Sequence, residues 1–155
     1  MRERLPSERR GITHRFIIDG AHKGYITVGM YEDGRPGEIF IVMSKEGSAT
    51  SGFLDTIAVQ TSMLLQHGVS LNDLVRKHIN SRFEPYGRTN NQCIETTTSI
   101  VDYVFRWLGM KFLTLEELTE IGIVTRCHEC GKAVKCGEYS RACTAPAELR
   151  LISSR

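Results

Sequence analysis

A chain of 155 residues suits one domain of ordinary size with a small appendage, and its 41% hydrophobic and 25% charged content excludes a disordered polymer. A net charge of +2 supplies no global basic field for nucleic acid. No apolar run approaches the roughly 18 residues of a membrane span and no secretory leader is evident, so the expected location is cytoplasmic, where the five cysteines are thiols or metal ligands rather than structural disulfides.

Residues 1–11 form a basic arm, with Arg2, Arg4, Arg9 and Arg10 set against Glu3 and Glu8. Such an arm is either a solvated, partly mobile leader or a local anion-binding segment. Strand-like alternation follows. Thr13–Ile18 places His14, Phe16 and Ile18 on one face, and Tyr25–Tyr31 opposes Ile26, Val28 and Met30 to Tyr25, Thr27 and Tyr31. Glu38–Met43 is rich in Ile and Phe and nearly continuous in apolar character, which predicts a well-covered strand. Short Gly-rich links between these runs predict hairpins, hence an antiparallel meander of at least three strands.

The period then becomes helical. Leu54, Ile57, Ala58, Thr61, Leu64 and Leu65 define a first helix that Gly68 terminates. Ser70 caps a second helix carrying Leu71, Leu74, Val75, His78 and Ile79. Asn80–Gln92 is polar, with Pro85, Gly87 and Asn90-Asn91, and predicts a long loop. A third helix bears Ile100, Val101, Val104, Phe105 and Leu108 and is expected to end at Gly109, while Thr114 and Glu117 make a capping box for a fourth. Strands followed by helices imply an α+β fold, with helices laid across one face of the sheet over residues 12–122.

Residues 123–155 form a cysteine-rich tail with the sharpest chemical signal. Cys127-His128-Glu129-Cys130-Gly131-Lys132 has the form of a zinc knuckle, in which a tight turn aims backbone amides at two thiolates. Cys136 and Cys143 complete a possible tetrahedral zinc set, although their spacing does not make a second knuckle. A redox dithiol and unliganded thiols are the competing readings. Metal would help such a short polar tail to fold. Cys93 lies outside this cluster and reads as a small buried residue. His67 and His78 read as ordinary helix histidines, and Glu116-Glu117 as a dipole-complementing helix start.

Two further segments are candidate ligand sites. Lys45, Gly47, Ser48, Thr50 and Ser51 lie at a strand-to-helix connection where backbone amides and hydroxyls can hold a phosphate, but the P-loop ending is absent and simple helix capping competes. Arg82 and Arg88 are interleaved with Phe83 and Tyr86, an arrangement that stacks on a base and pairs with phosphates; a loop with its aromatics buried against the helices is the alternative. No Ser-His-Asp ordering or carboxylate pair stands out.

In order along the chain, RERLPSERRGITH (2–14), GYITV (24–28), GRPGEIFI (34–41), KEGS (45–48), RFEP (82–85) and SIVDYVFRWL (99–108) resemble the C-terminal, TSCPD-type region of adenosylcobalamin-dependent class II ribonucleotide reductases. That family also ends in a cysteine-rich, zinc-ribbon-like tail, whose double Cys-x-x-Cys this chain does not reproduce. The resemblance implies an accessory region, because the family's radical and cobalamin chemistry sits in a large α/β barrel for which 155 residues are too few. No cobalamin site and no catalytic residue are therefore expected here. The leading expectation is a non-catalytic, stand-alone accessory or regulatory partner of a separate ribonucleotide reductase chain in deoxyribonucleotide metabolism. The competing expectations are an independent nucleotide-binding module, working as a homo-oligomer, and a zinc-stabilised nucleic-acid adaptor.

Overall fold

The computed structural model describes residues 1–126 and 132–136. Three strands open the fold: β1 (Gly11–Ile18), β2 (His22–Met30) and β3 (Pro36–Met43). Their alternation is resolved as expected. Cross-strand partners share a face, and the register His14↔Ile26, Phe16↔Gly24, Ile26↔Ile41 and Gly24↔Met43 gathers one apolar surface. Phe16, Ile18, Ile26 and Val28 are fully buried on it, each contributing roughly 1.5–3 kcal/mol by removal from water. Gly24 is required there, since a Cβ would lie 2.6 Å from Phe16 Cζ and would also strike Met43.

The meander extends to five antiparallel strands in the order β3-β2-β1-β4-β5, through a hairpin of β4 (Gly87–Asn91) and β5 (Ile94–Thr97). This replaces part of the long loop expected over Asn80–Gln92. The hairpin is nearly all polar, so its alternation carried no hydrophobic signal; tertiary bonds hold it instead. Ile17 N donates to Asn90 Oδ1 at 2.8 Å, and Asn91 Nδ2 donates to the Tyr103 hydroxyl at 3.1 Å.

Helices α1 (Ser48–Gln66), α2 (Leu71–His78), α3 (Ile100–Phe112) and α4 (Leu115–Ile121) complete an α+β fold. Ser70, Ser99 and Thr114 cap the last three, and Thr114 with Glu117 forms the expected capping box. Helix α3 does not end at Gly109. It runs three residues further to Phe112, and Gly109 instead permits close packing, with Val75 Cγ1 3.4 Å and Leu118 Cδ2 3.5 Å from where a Cβ would stand. The core joins the inner sheet face to Leu54, Ala58, Leu74, Val75, Tyr103, Val104 and Leu108.

Two expectations about exposure are corrected. Strand β3 is an edge strand covered on one face only, with Phe40 51% and Val42 60% exposed. The N-terminal arm is docked rather than a free leader. Glu3 N bonds to Gln66 O at 2.8 Å, Arg2 Nε to Gln66 Oε1 at 2.7 Å, Tyr31 Oη to Glu3 O at 2.6 Å, and Arg9 pairs with Glu38. The reason is long-range: Gln66, buried in the last turn of α1, ties the arm and Gly37 O together.

Beyond α4, β6 (Thr125–Arg126) and β7 (Ala133–Val134) pair as a short hairpin. Val134 is buried. No described helix is long and apolar enough to cross a membrane.

Candidate functional site

Both candidate ligand loops approach the end of the sheet where β1 turns into β2. Asp19 occupies the left-handed region there (φ 52°), and its amide donates to Arg88 O at 2.7 Å. A concavity of about 450 Å³ opens between Asp19, His22, Glu46, Thr50, Glu84 and Tyr86. The two loops thus meet, but with an unexpected charge. Of the predicted residues, Thr50 alone lines the concavity; Lys45, Gly47, Ser48, Arg82 and Arg88 are exposed outside it and Ser51 lies in the first turn of α1. Three carboxylates line it instead, and His22 Nδ1 lies 2.6 Å from Glu46 Oε1. Such a surface repels a phosphate.

Neither structural alternative for these loops holds. Gly47 is the N-cap of α1 and no side chain caps it. Phe83 and Tyr86 are 45% and 54% exposed, so the loop does not bury its aromatics against the helices. Pro85, in a cis peptide with Glu84, also lines the concavity.

The loop is instead fastened by a buried acid that sequence reasoning passed over. Asp102, 1% exposed in the first turn of α3, accepts from Asn80 N at 2.6 Å, Arg106 Nε at 2.9 Å, Thr97 Oγ1 at 2.8 Å and Thr98 N at 3.2 Å. Arg106 Nη2 returns to Asn80 Oδ1 at 2.6 Å, and Ser81 Oγ meets Ser99 Oγ at 2.9 Å. This network ties the start of the loop and the end of β5 to the first turn of α3.

A second cluster lies where β1 crosses α3. His14 Nε2 is 2.8 Å from Tyr103 Oη, and its ring stacks on Trp107 at 4.8 Å. Burial holds the imidazole below its ordinary value of 6.5, with Lys111 acting in the same direction, while burial raises the Tyr103 phenol. His78 stacks on Phe105 at 4.1 Å with its Nδ1 2.7 Å from Leu74 O, whereas His67 is exposed.

Beside this cluster two cysteines from distant parts of the chain come together. Cys93, in the β4–β5 turn, is disulfide-bonded to Cys136, with Cα atoms 5.6 Å apart. Cys136 is therefore placed against the sheet hairpin, and Cys93 is not an isolated buried thiol. The pairing joins residues 43 apart, which no local spacing encodes. The other predicted zinc ligands, Cys127, Cys130 and Cys143, lie outside the described residues. Among the described residues no group of three or more His, Cys, Asp or Glu is arranged to hold a metal ion.

The outer face of the sheet is the remaining feature. Tyr25↔Val42 and Thr27↔Phe40 are cross-strand neighbours, flanked by Arg15 and Thr13 of β1. Tyr25 (41%), Phe40 and Val42 leave a contiguous apolar surface open, opposite the helices.

Residues 2–112 match the TSCPD domain. The chain is 50% identical over 113 residues to a vitamin B12-dependent ribonucleotide reductase of Rhodopirellula baltica, covering 73% of this chain and 11% of that one. It is 44% identical over 123 residues to the enzyme of the same name from Streptomyces avermitilis, covering 79% and 13%, and 42% identical over 121 residues to that of Bradyrhizobium diazoefficiens, covering 77% and 10%. The chain thus spans about a tenth of the length of these relatives. No solved structure matches it. With the docked arm, the meander and the helices through α3 all inside the matched stretch, the chain belongs to the TSCPD domain family of ribonucleotide-reductase-related proteins.

Proposed function

We propose that this domain is a non-catalytic accessory module of a ribonucleotide reductase, docking through its open sheet face on a reductase catalytic body. The outer face carries this reading. Strands β2 and β3 bury Ile26, Val28, Ile39 and Ile41 on one side and leave Tyr25, Phe40 and Val42 side by side on the other. Contiguous exposed apolar surface of this kind marks an interaction site. The relatives point to the occupant: they are named as reductases, and the matched stretch is about a tenth of a much longer chain. Reduction would then be carried by the larger body, and cobalamin would be bound there.

The test measures binding of the full chain to a vitamin B12-dependent ribonucleotide reductase body lacking its own matched region. Wild-type protein is expected to form a stable complex by size-exclusion chromatography. The double substitution Phe40→Ser and Val42→Ser is expected to abolish it without changing the melting temperature, because neither side chain is in the core. Absence of a complex, an unaffected complex in the double variant, or self-association of the chain through the same face would overturn the proposal.

A further inference from the structure

Residues Cys93 and Cys136 have a placement that a purely structural crosslink does not require. Both are half-buried rather than enclosed. Together they line an open cavity of about 390 Å³ that also presents Asn91, Trp107, Lys111 and Lys135. Lys111 and Lys135 share that cavity, and ammonium groups near a sulfur favour exchange there. The bond also spans two units of unequal strength. Cys93 sits in a turn fixed on the main sheet, where its amide donates to Asn91 Oδ1 at 2.9 Å. Cys136 follows β7, in a hairpin whose strands are two residues each. A hairpin that short has little stability of its own, and the crosslink adds to the hold provided by buried Val134.

We infer that Cys93–Cys136 is a thiol–disulfide exchange site acting as a redox latch, which fastens the β6–β7 hairpin to the sheet when oxidised and releases it when reduced. The co-reactant is a dithiol reductant small enough, or with a sulfur exposed enough, to enter beside Trp107. One thiolate attacks either sulfur of the bond and forms a mixed disulfide while the other cysteine leaves as thiolate. The second thiol of the reductant, as its thiolate, then displaces the bound cysteine. Two electrons and two protons pass in total, giving Cys93 and Cys136 as thiols and the reductant as its disulfide. Release exposes the Trp107 and Lys111 side of α3, which the oxidised pair borders. This inference goes beyond the accessory reading and does not depend on a reductase partner.

The test uses the full chain, equilibrated in buffers of graded reduced-to-oxidised dithiothreitol ratio, acid-quenched and alkylated. Peptide mass spectrometry is expected to find a Cys93–Cys136 linked peptide at oxidising ratios and its loss at reducing ones. Amide exchange over 125–126 and 132–136 is expected to accelerate on reduction by on the order of tenfold or more, with β1–β3 unchanged. In Cys93→Ser and, separately, Cys136→Ser, exchange over those residues should be fast at every ratio; the wild-type series decides the matter even where a variant fails to fold. Absence of the linked peptide throughout, with both sulfurs retained as metal-bound thiolates or otherwise, overturns the inference. So does a linked peptide whose reduction leaves exchange over 125–126 and 132–136 unchanged.

Discussion

Replacing Asp102 by alanine removes four hydrogen bonds at once, and the structure indicates what each loss is worth. Its carboxylate accepts from two backbone amides, one hydroxyl and one guanidinium while only 1% exposed. Breaking a buried ion pair from one side costs about 3–5 kcal/mol when the surviving partner stays buried. Here the survivor is Arg106, whose side chain is 23% exposed and can turn toward water, which moderates that term. Asn80 is itself exposed, so its amide can recruit water, while Thr98 and Thr97 sit deeper and lose a partner at about 1–3 kcal/mol for a buried donor. The expected total is about 3 kcal/mol. Urea denaturation measures it directly, and thermal melting should fall by roughly 6–12 °C for a chain of this size. Asp102→Asn, which keeps the shape but turns a donor toward donors, should cost somewhat less. Amide exchange should rise over residues 80–91 and stay unchanged in α1, since the network ties only the former to α3. A loss below about 1 kcal/mol for Asp102→Ala would refute the claim that this acid fastens the loop.

Burial at His14 gives a pH dependence. Its folded pKa lies below the ordinary 6.5, so the unfolded chain takes up the proton first as pH falls. Stability from this group is complete above about pH 6.5 and declines as pH drops through that value toward the folded pKa. Urea midpoints at about pH 7.5 and about pH 5.5 should therefore differ less in His14→Gln than in wild type, and an identical difference would exclude the mechanism. Gly24→Ala forces a Cβ to within 2.6 Å of fully buried Phe16 and should cost about 1–3 kcal/mol by overpacking, read as a lower denaturation midpoint. A neutral Gly24→Ala would mean that the Phe16 and Met43 side chains repack freely.

Much of the framework was legible along the chain because it is written in local periods. The alternation of His14, Phe16 and Ile18 and of Ile26 and Val28 identified the buried side of the sheet. Ser70 and the Thr114–Glu117 box marked helix starts, and Gly68 (φ 85°) marked a helix end. Six ordered runs of residues pointed to the family that the comparisons establish. These signals survive because each depends on neighbours within a few positions, where period and backbone sterics act directly.

What folding alone decided depends on residues far apart in sequence. The polar β4–β5 hairpin showed no apolar period, and it stands because Asn90 and Asn91 reach Ile17 and Tyr103. Phe40 and Val42 looked like parts of a covered strand until the edge position of β3 opened one of its faces. The 46–50 and 84–86 loops do meet, yet Asp19 arrives with them and makes their shared concavity acidic. Cys136, grouped by spacing with the tail, is set against Cys93 across 43 residues. Spacing records which side chains share an element, whereas charge at a cavity, exposure of a sheet face and the partner of a sulfur arise only when separate elements are brought together.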